Sequence, residues 1–144
     1  MTPDVNVLVA AARLEHPHHE AALTWLERAV NEKNANQRLA LLPGVIAGFL
    51  RITTNRKIFP VPTPIEAAVG FVDDMLDSAT VTVLANAREW PKLRALCLQK
   101  SLIANMIPDA WIAALVLEHR EVLATFDSDF SHLLPAKNLL LLNP

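Results

Sequence analysis

The stretch "RLALLPGVIAGFLRITTN" (residues 38–55) decides the architecture. Its first part is a compact apolar run closed by Pro43, which reads as a buried strand. From Gly44 onward the apolar residues follow a helical pattern up to Asn55. A short strand feeding at once into a helix is the opening half of a β-α-β unit. One residue is awkward. Gly48 sits inside the helix between Ala47 and Phe49, where glycine costs roughly 0.5 to 1 kcal/mol relative to alanine.

The same alternation continues outward in both directions. Residues 1–4 read as a short strand ending at Asp4, and "VNVLVAAARL" either extends it or begins a helix. "HHEAALTWLERAVNE" places Ala22, Trp25, Leu26 and Ala29 on one face of a helix. Downstream, "PVPTP" is a loop, with Thr63 as N-cap and Pro64 at the first helical position of "IEAAVGFVDDMLDS". "TVTVL" is a strand, "EWPKLRALCLQKS" and "PDAWIAALVLEH" are helices, "EVLATFDSDF" is a strand running into a polar turn, and "NLLLL" is a last strand. Strands alternating with helices give an α/β fold, with a mostly parallel sheet and helices on both faces, in one domain spanning 1–144.

Composition excludes several classes. With 52% hydrophobic and 19% charged residues the chain is globular. Its apolar runs fall far short of the ~20 residues that span a bilayer, so a soluble, cytoplasmic protein without membrane association is expected. The single cysteine, Cys97, excludes an internal disulfide and is read as a core residue. Net charge is -2, but no carboxylate occurs between Glu32 and Glu66, where Lys33, Arg38, Arg51, Arg56 and Lys57 are all basic.

In an open parallel sheet, ligands bind outside the carboxyl ends of the strands. Asp4 follows the first strand, Asp127 and Asp129 follow "VLAT", and Asp109 begins a helix after Pro108. Singly, Asp109 is explained as a helix cap and Asp127 and Asp129 as turn residues. Together, acids converging on one crevice repel one another unless a cation neutralises them, and Mg2+ or Mn2+ suits an all-oxygen cluster. His16, His18 and His19 do not share a helix face, and Pro17 separates two of them, so they are not read as a metal site. His119 and His132 are read as structural, and the three tryptophans as core or interface residues.

The segments "PDVNVLVAA", "FLRITTNRKIF", "IPDAWIAALVLEH" and "ATFDSDF", in that order over almost the whole chain, resemble the PIN-domain ribonucleases, and specifically the VapC toxins of bacterial toxin–antitoxin pairs. The resemblance implies a three-layer α/β/α sandwich whose acidic crevice binds Mg2+ or Mn2+ and hydrolyses RNA phosphodiesters to 5′-phosphate and 3′-hydroxyl ends. It also implies a homodimer and a VapB-type antitoxin that blocks the site and carries the pair to operator DNA. By position, Asp4 matches the first acid, Asp109 the third and Asp127 the fourth, with Asp129 auxiliary. Asn6 and Thr125 match polar positions beside the cluster.

The family's second acid, a glutamate just before the arginine-containing "FLR", falls on Gly48, so that acidic position is vacant. Weaker metal binding and slower cleavage are expected, whether the glycine is a natural loss or, as favoured here, a substitution that makes a toxic chain tolerable to its host. Arg51, Arg56 and Lys57 are the candidate RNA contacts, with single-stranded RNA the expected substrate. Two other readings stay open. The chain is a catalytically inactive module binding RNA and antitoxin, or, from "DSD", a haloacid-dehalogenase-like phosphatase. The latter needs an aspartate pair near the first strand, where position 6 is Asn.

Overall fold

The computed structural model of the chain describes residues 1–32, 34, 38–86 and 88–143; Lys33, part of the carboxylate-free basic stretch, lies outside them. The strands are β1 (Thr2–Pro3), β2 (Leu39–Leu41), β3 (Val81–Val83), β4 (Leu123–Thr125) and β5 (Leu139–Leu141). All paired strands are parallel: β1 with β4, β4 with β5, and β2 with β3. The trio and the pair meet at Met1, whose N donates to Arg38 O at 2.8 Å while its O accepts from Ala40 N at 2.8 Å. That is the bonding pattern of a parallel bridge, and it sets the strands side by side as β3-β2-β1-β4-β5. Both faces of β2 and β4 are buried, as parallel strands covered by helices require.

The helices are α1 (Val5–Ala12), α2 (His19–Val30), α3 (Pro43–Thr53), α4 (Ile65–Leu76), α5 (Trp90–Lys100) and α6 (Met106–His119). Helix α1 packs on α2 and α3, α3 on α4, and α5 on α6. Five consecutive residues of α1, Val7 to Ala11, are buried, which no amphipathic surface helix would show. Phe49 of α3 is fully enclosed and meets the Phe71 ring with centroids 5.3 Å apart.

The strand-or-helix alternative after Asp4 resolves as helix, because the Asp4 carboxylate accepts from Val5 N and caps α1. Two local expectations need correction. Pro64, not Thr63, holds the N-cap position of α4, and the Thr63 hydroxyl accepts instead from Arg13 Nη1 at 2.8 Å. Asp109 does not begin its helix, since α6 starts at Met106 with Asn105 at the cap. Pro108 is accommodated in that first turn because an N–H there would have no acceptor within the helix. His132 ends a 3-10 turn, Ser128–His132.

Candidate active site

Asp4 stands where β1 passes into α1 at the centre of the sheet, and only 6% of it is exposed. Its Oδ1 accepts from Val5 N at 2.7 Å, and its Oδ2 accepts from the Thr125 hydroxyl at 2.8 Å. Thr125, at the end of the neighbouring β4, is fully buried. Its oxygen also accepts from Asn6 Nδ2 at 2.9 Å and from Asp127 N at 3.0 Å. With both lone pairs taken, the hydroxyl proton has one destination, Asp4. Asn6 therefore acts on Asp4 only through Thr125, and its Oδ1 accepts from Phe126 N at 3.4 Å. Both residues expected beside the cluster are in this network, and Thr125 is its hub.

Asp4, Asp109 and Asp127 line one cleft of about 1180 Å³, bounded by α1, α3 and the first turns of α6. Asp127 and Asp109 are half-buried, and Asp127 Oδ1 accepts from Asp129 N at 2.8 Å, so the turn role considered for it is also real. Asp129 is exposed and lines a neighbouring cavity of about 330 Å³ that shares Asp109 with the main cleft. Burial pushes the Asp4 acid up to about 6, with smaller contributions from the charges of Asp109 and Asp127 and opposition from the Thr125 and Val5 hydrogen bonds. The Asp109 acid is likewise raised, by burial first and then by Asp127 and Asp129.

Among the described residues no basic side chain pairs with Asp4, Asp109 or Asp127. The cluster thus carries uncompensated negative charge on oxygen donors, and Asp4 retains a free lone pair on each carboxylate oxygen. That donor chemistry fits a hard divalent cation. Among the described residues, however, no three His, Cys, Asp or Glu side chains are gathered closely enough to form a ligand set as they stand.

The third wall of the cleft is α3, which presents Pro43, Ala47, Arg51 and Ile52 and two positions without a side chain. Gly44 and Gly48, one turn apart on α3, both face it. A Cβ on Gly44 would meet the Trp111 ring at 2.7 Å, and one on Gly48 would meet Val5 Cγ2 at 2.9 Å. Gly48 thus has a packing role besides the missing carboxylate: it lets α3 approach the first residue of α1. Of the expected RNA contacts, Arg51 lies on the cleft wall, whereas Arg56 and Lys57 are exposed and do not line it.

Two features escaped the sequence reading. His16 lines the acidic cleft, and "HPHH" was the available signal. Arg13 lies over the Phe59 ring, 4.3 Å from its centroid, and bonds Thr63 and Val61 O. It ties the α3–α4 loop to the end of α1, a contact between distant segments that no local pattern announces.

A sequence model of the PIN domain matches residues 1–133. Ribonuclease VapC25 of Mycobacterium tuberculosis is 33% identical over 137 residues, covering 94% of each chain. Ribonuclease VapC37 of the same species is 35% identical over 129 residues, covering 88% of this chain and 87% of its own. In three dimensions the chain is similar to one from the crystal structure of VapBC2 from Rickettsia felis bound to a promoter DNA fragment. The TM-score is 0.66 at 20% identity, with 99% and 98% of the two chains covered. The chain belongs to the PIN domain family, in its VapC branch. Among the described residues no helix is long and apolar enough to cross a membrane.

Proposed function

We propose that the chain is the ribonuclease toxin of a toxin–antitoxin pair, a metal-dependent endonuclease slowed by the absence of a carboxylate at position 48. The observation that carries this reading is the convergence of Asp4, Asp109 and Asp127, from three distant parts of the sequence, on one cleft without a basic partner. Asp4, Asp109 and Asp127 would hold Mg2+ or Mn2+, with Asp129 entering through Asp109's second cavity. Such an ion, when bound, supplies Lewis-acid stabilisation of the phosphate and a nucleophile at neutral pH. The chain's own residues do the rest. Thr125 and Asn6 hold Asp4 in one orientation, Asp127 is fixed by its turn, and Arg51 offers positive charge to the RNA backbone. The proposal extends to a VapB-type antitoxin covering the cleft, a homodimer, operator DNA reached only through the antitoxin, and a cytoplasmic location.

A second reading has its own support: no three ligands are gathered as the side chains stand, which suits an inactive module that binds RNA and antitoxin. End-labelled single-stranded RNA incubated with the purified chain in Mn2+ separates the two. Cleavage leaving 5′-phosphate ends, abolished by EDTA and slowed roughly a hundredfold or more by Asp109→Asn, is expected. Gly48→Glu combined with Val5→Ala, which clears the obstructing methyl, should quicken it. No cleavage by either the parent or the double variant, both folded, rules out the slowed enzyme and leaves the binding module.

A further inference from the structure

The turn "HPH" at residues 16–18 has no part in the carboxylate network, yet it stands beside it. His18 N donates to Nδ1 of His16 at 3.1 Å. Nδ1 is thus an acceptor, and the proton of the neutral ring sits on Nε2. That Nε2–H has no acceptor among the described residues. The His16 and His18 rings are 5.5 Å apart, and His18 stacks on Phe126 at 4.7 Å with 23° between the planes. The three rings form a file from the cleft wall, where His16 lies with Asp4 and Asp127, to the residue between Thr125 and Asp127. His19 has a different task, donating from Nδ1 to Ala10 O at 2.9 Å and so fixing α2 on the end of α1. Burial, with the neighbouring His18, holds the His16 imidazole below the usual histidine range.

We propose that His16 is a substrate-positioning residue, whose ring face and free Nε2–H receive an unpaired nucleotide of RNA adjoining the phosphodiester at the acidic end of the cleft. A neutral aromatic donor suits that place. It adds no competing cation to the carboxylates, offers a stacking surface to any base, and favours those that present an acceptor edge. The stacked His18 and Phe126 rings beneath keep it in register with Asp127. The inference rests on the ribonuclease reading above and deepens it.

The test separates the substrate role from the turn. His16→Asn keeps an acceptor, Oδ1, for the His18 N–H but removes the outer ring and its donor; His16→Phe keeps a ring without the donor. Affinity for a short fluorescein-labelled single-stranded RNA is read by anisotropy in EDTA, cleavage kinetics in Mn2+, and folding by thermal melting. His16→Asn should weaken binding and raise KM by about tenfold, with kcat within roughly twofold of the parent and an unchanged melting temperature. His16→Phe should fall between the two. Unchanged affinity and KM in His16→Asn overturn the proposal, as does a loss confined to kcat or one that tracks the melting temperature. If neither the parent nor Gly48→Glu combined with Val5→Ala cleaves RNA, the ribonuclease reading fails, and the anisotropy series still decides whether His16 holds RNA.

Discussion

Neutralising Asp4 should flatten the pH dependence of stability and remove the response to divalent ions. In the folded chain burial holds this acid at about 6, against 3.8 for an unperturbed side chain. Between those two values the folded protein retains a proton that the unfolded chain has released, so stability falls as pH rises through the interval and stays lowered above it. The gap corresponds to about 3 kcal/mol withheld at neutral pH. Asp109, raised in the same direction, adds to it. A cation on the ionised cluster offsets this, by about 2.7 kcal/mol at a hundred times its Kd. For a chain of this size that is a rise in melting temperature of roughly 5 to 10 °C.

Thermal melts near pH 5 and near pH 7.5, in EDTA and in excess Mn2+, read all of this. The parent should melt lower at the higher pH in EDTA, recover with Mn2+ there, and respond much less to Mn2+ at the lower pH, where Asp4 is protonated. Asp4→Asn should be flatter with pH and insensitive to Mn2+. Because an amide offers one acceptor to the two donors of Val5 and Thr125, it should also begin about 1 to 3 kcal/mol less stable near pH 5. A full Mn2+ shift in Asp4→Asn, or an equal shift of the parent at both pH values, would refute the reasoning.

Thr125→Val keeps the shape of the side chain but strands Asp4 Oδ2, Asn6 Nδ2 and Asp127 N at once; a loss of about 2 to 4 kcal/mol in denaturant titration is expected, with Thr125→Ser close to the parent. A cost under roughly 0.5 kcal/mol would mean the hydroxyl is not the hub the geometry makes it. Arg51→Gln should lower the salt dependence of RNA binding by about 0.7 in the log–log slope, while Arg56→Gln and Lys57→Gln leave it unchanged. Equal effects at all three positions would place the RNA backbone outside the cleft.

The β2–α3 unit was legible because a buried apolar run, a proline and a helical period stand in immediate succession. Helix ends were less so. Ser101 and Arg120 terminate α5 and α6 in left-handed conformations with φ of 51° and 58°, a geometry ordinarily announced by glycine. The start of α6 was hidden by Pro108, which reads as a boundary but lies inside the first turn. β1 has only two residues, too few for a periodicity, so its limit was visible only through Asp4. The acids and their polar neighbours could be chosen by residue type at strand and helix ends. The direction of the Thr125 proton, the approach of Gly48 to Val5, and the placement of His16 on the cleft arise from packing between segments far apart in the chain, which no local pattern encodes.

The contact between Gly48 and Val5 has a consequence for the order in which substitutions can accumulate. A carboxylate at position 48 projects from a Cβ whose space is taken by a stiff β-branched side chain on the opposing helix. A smaller side chain at Val5 opens the way, whereas a glutamate introduced with Val5 unchanged requires that side chain or the backbone beside it to shift. The two positions are therefore coupled. With Val5 in place, a fully acidic cleft requires an accommodation at residue 5, a position with no chemistry of its own.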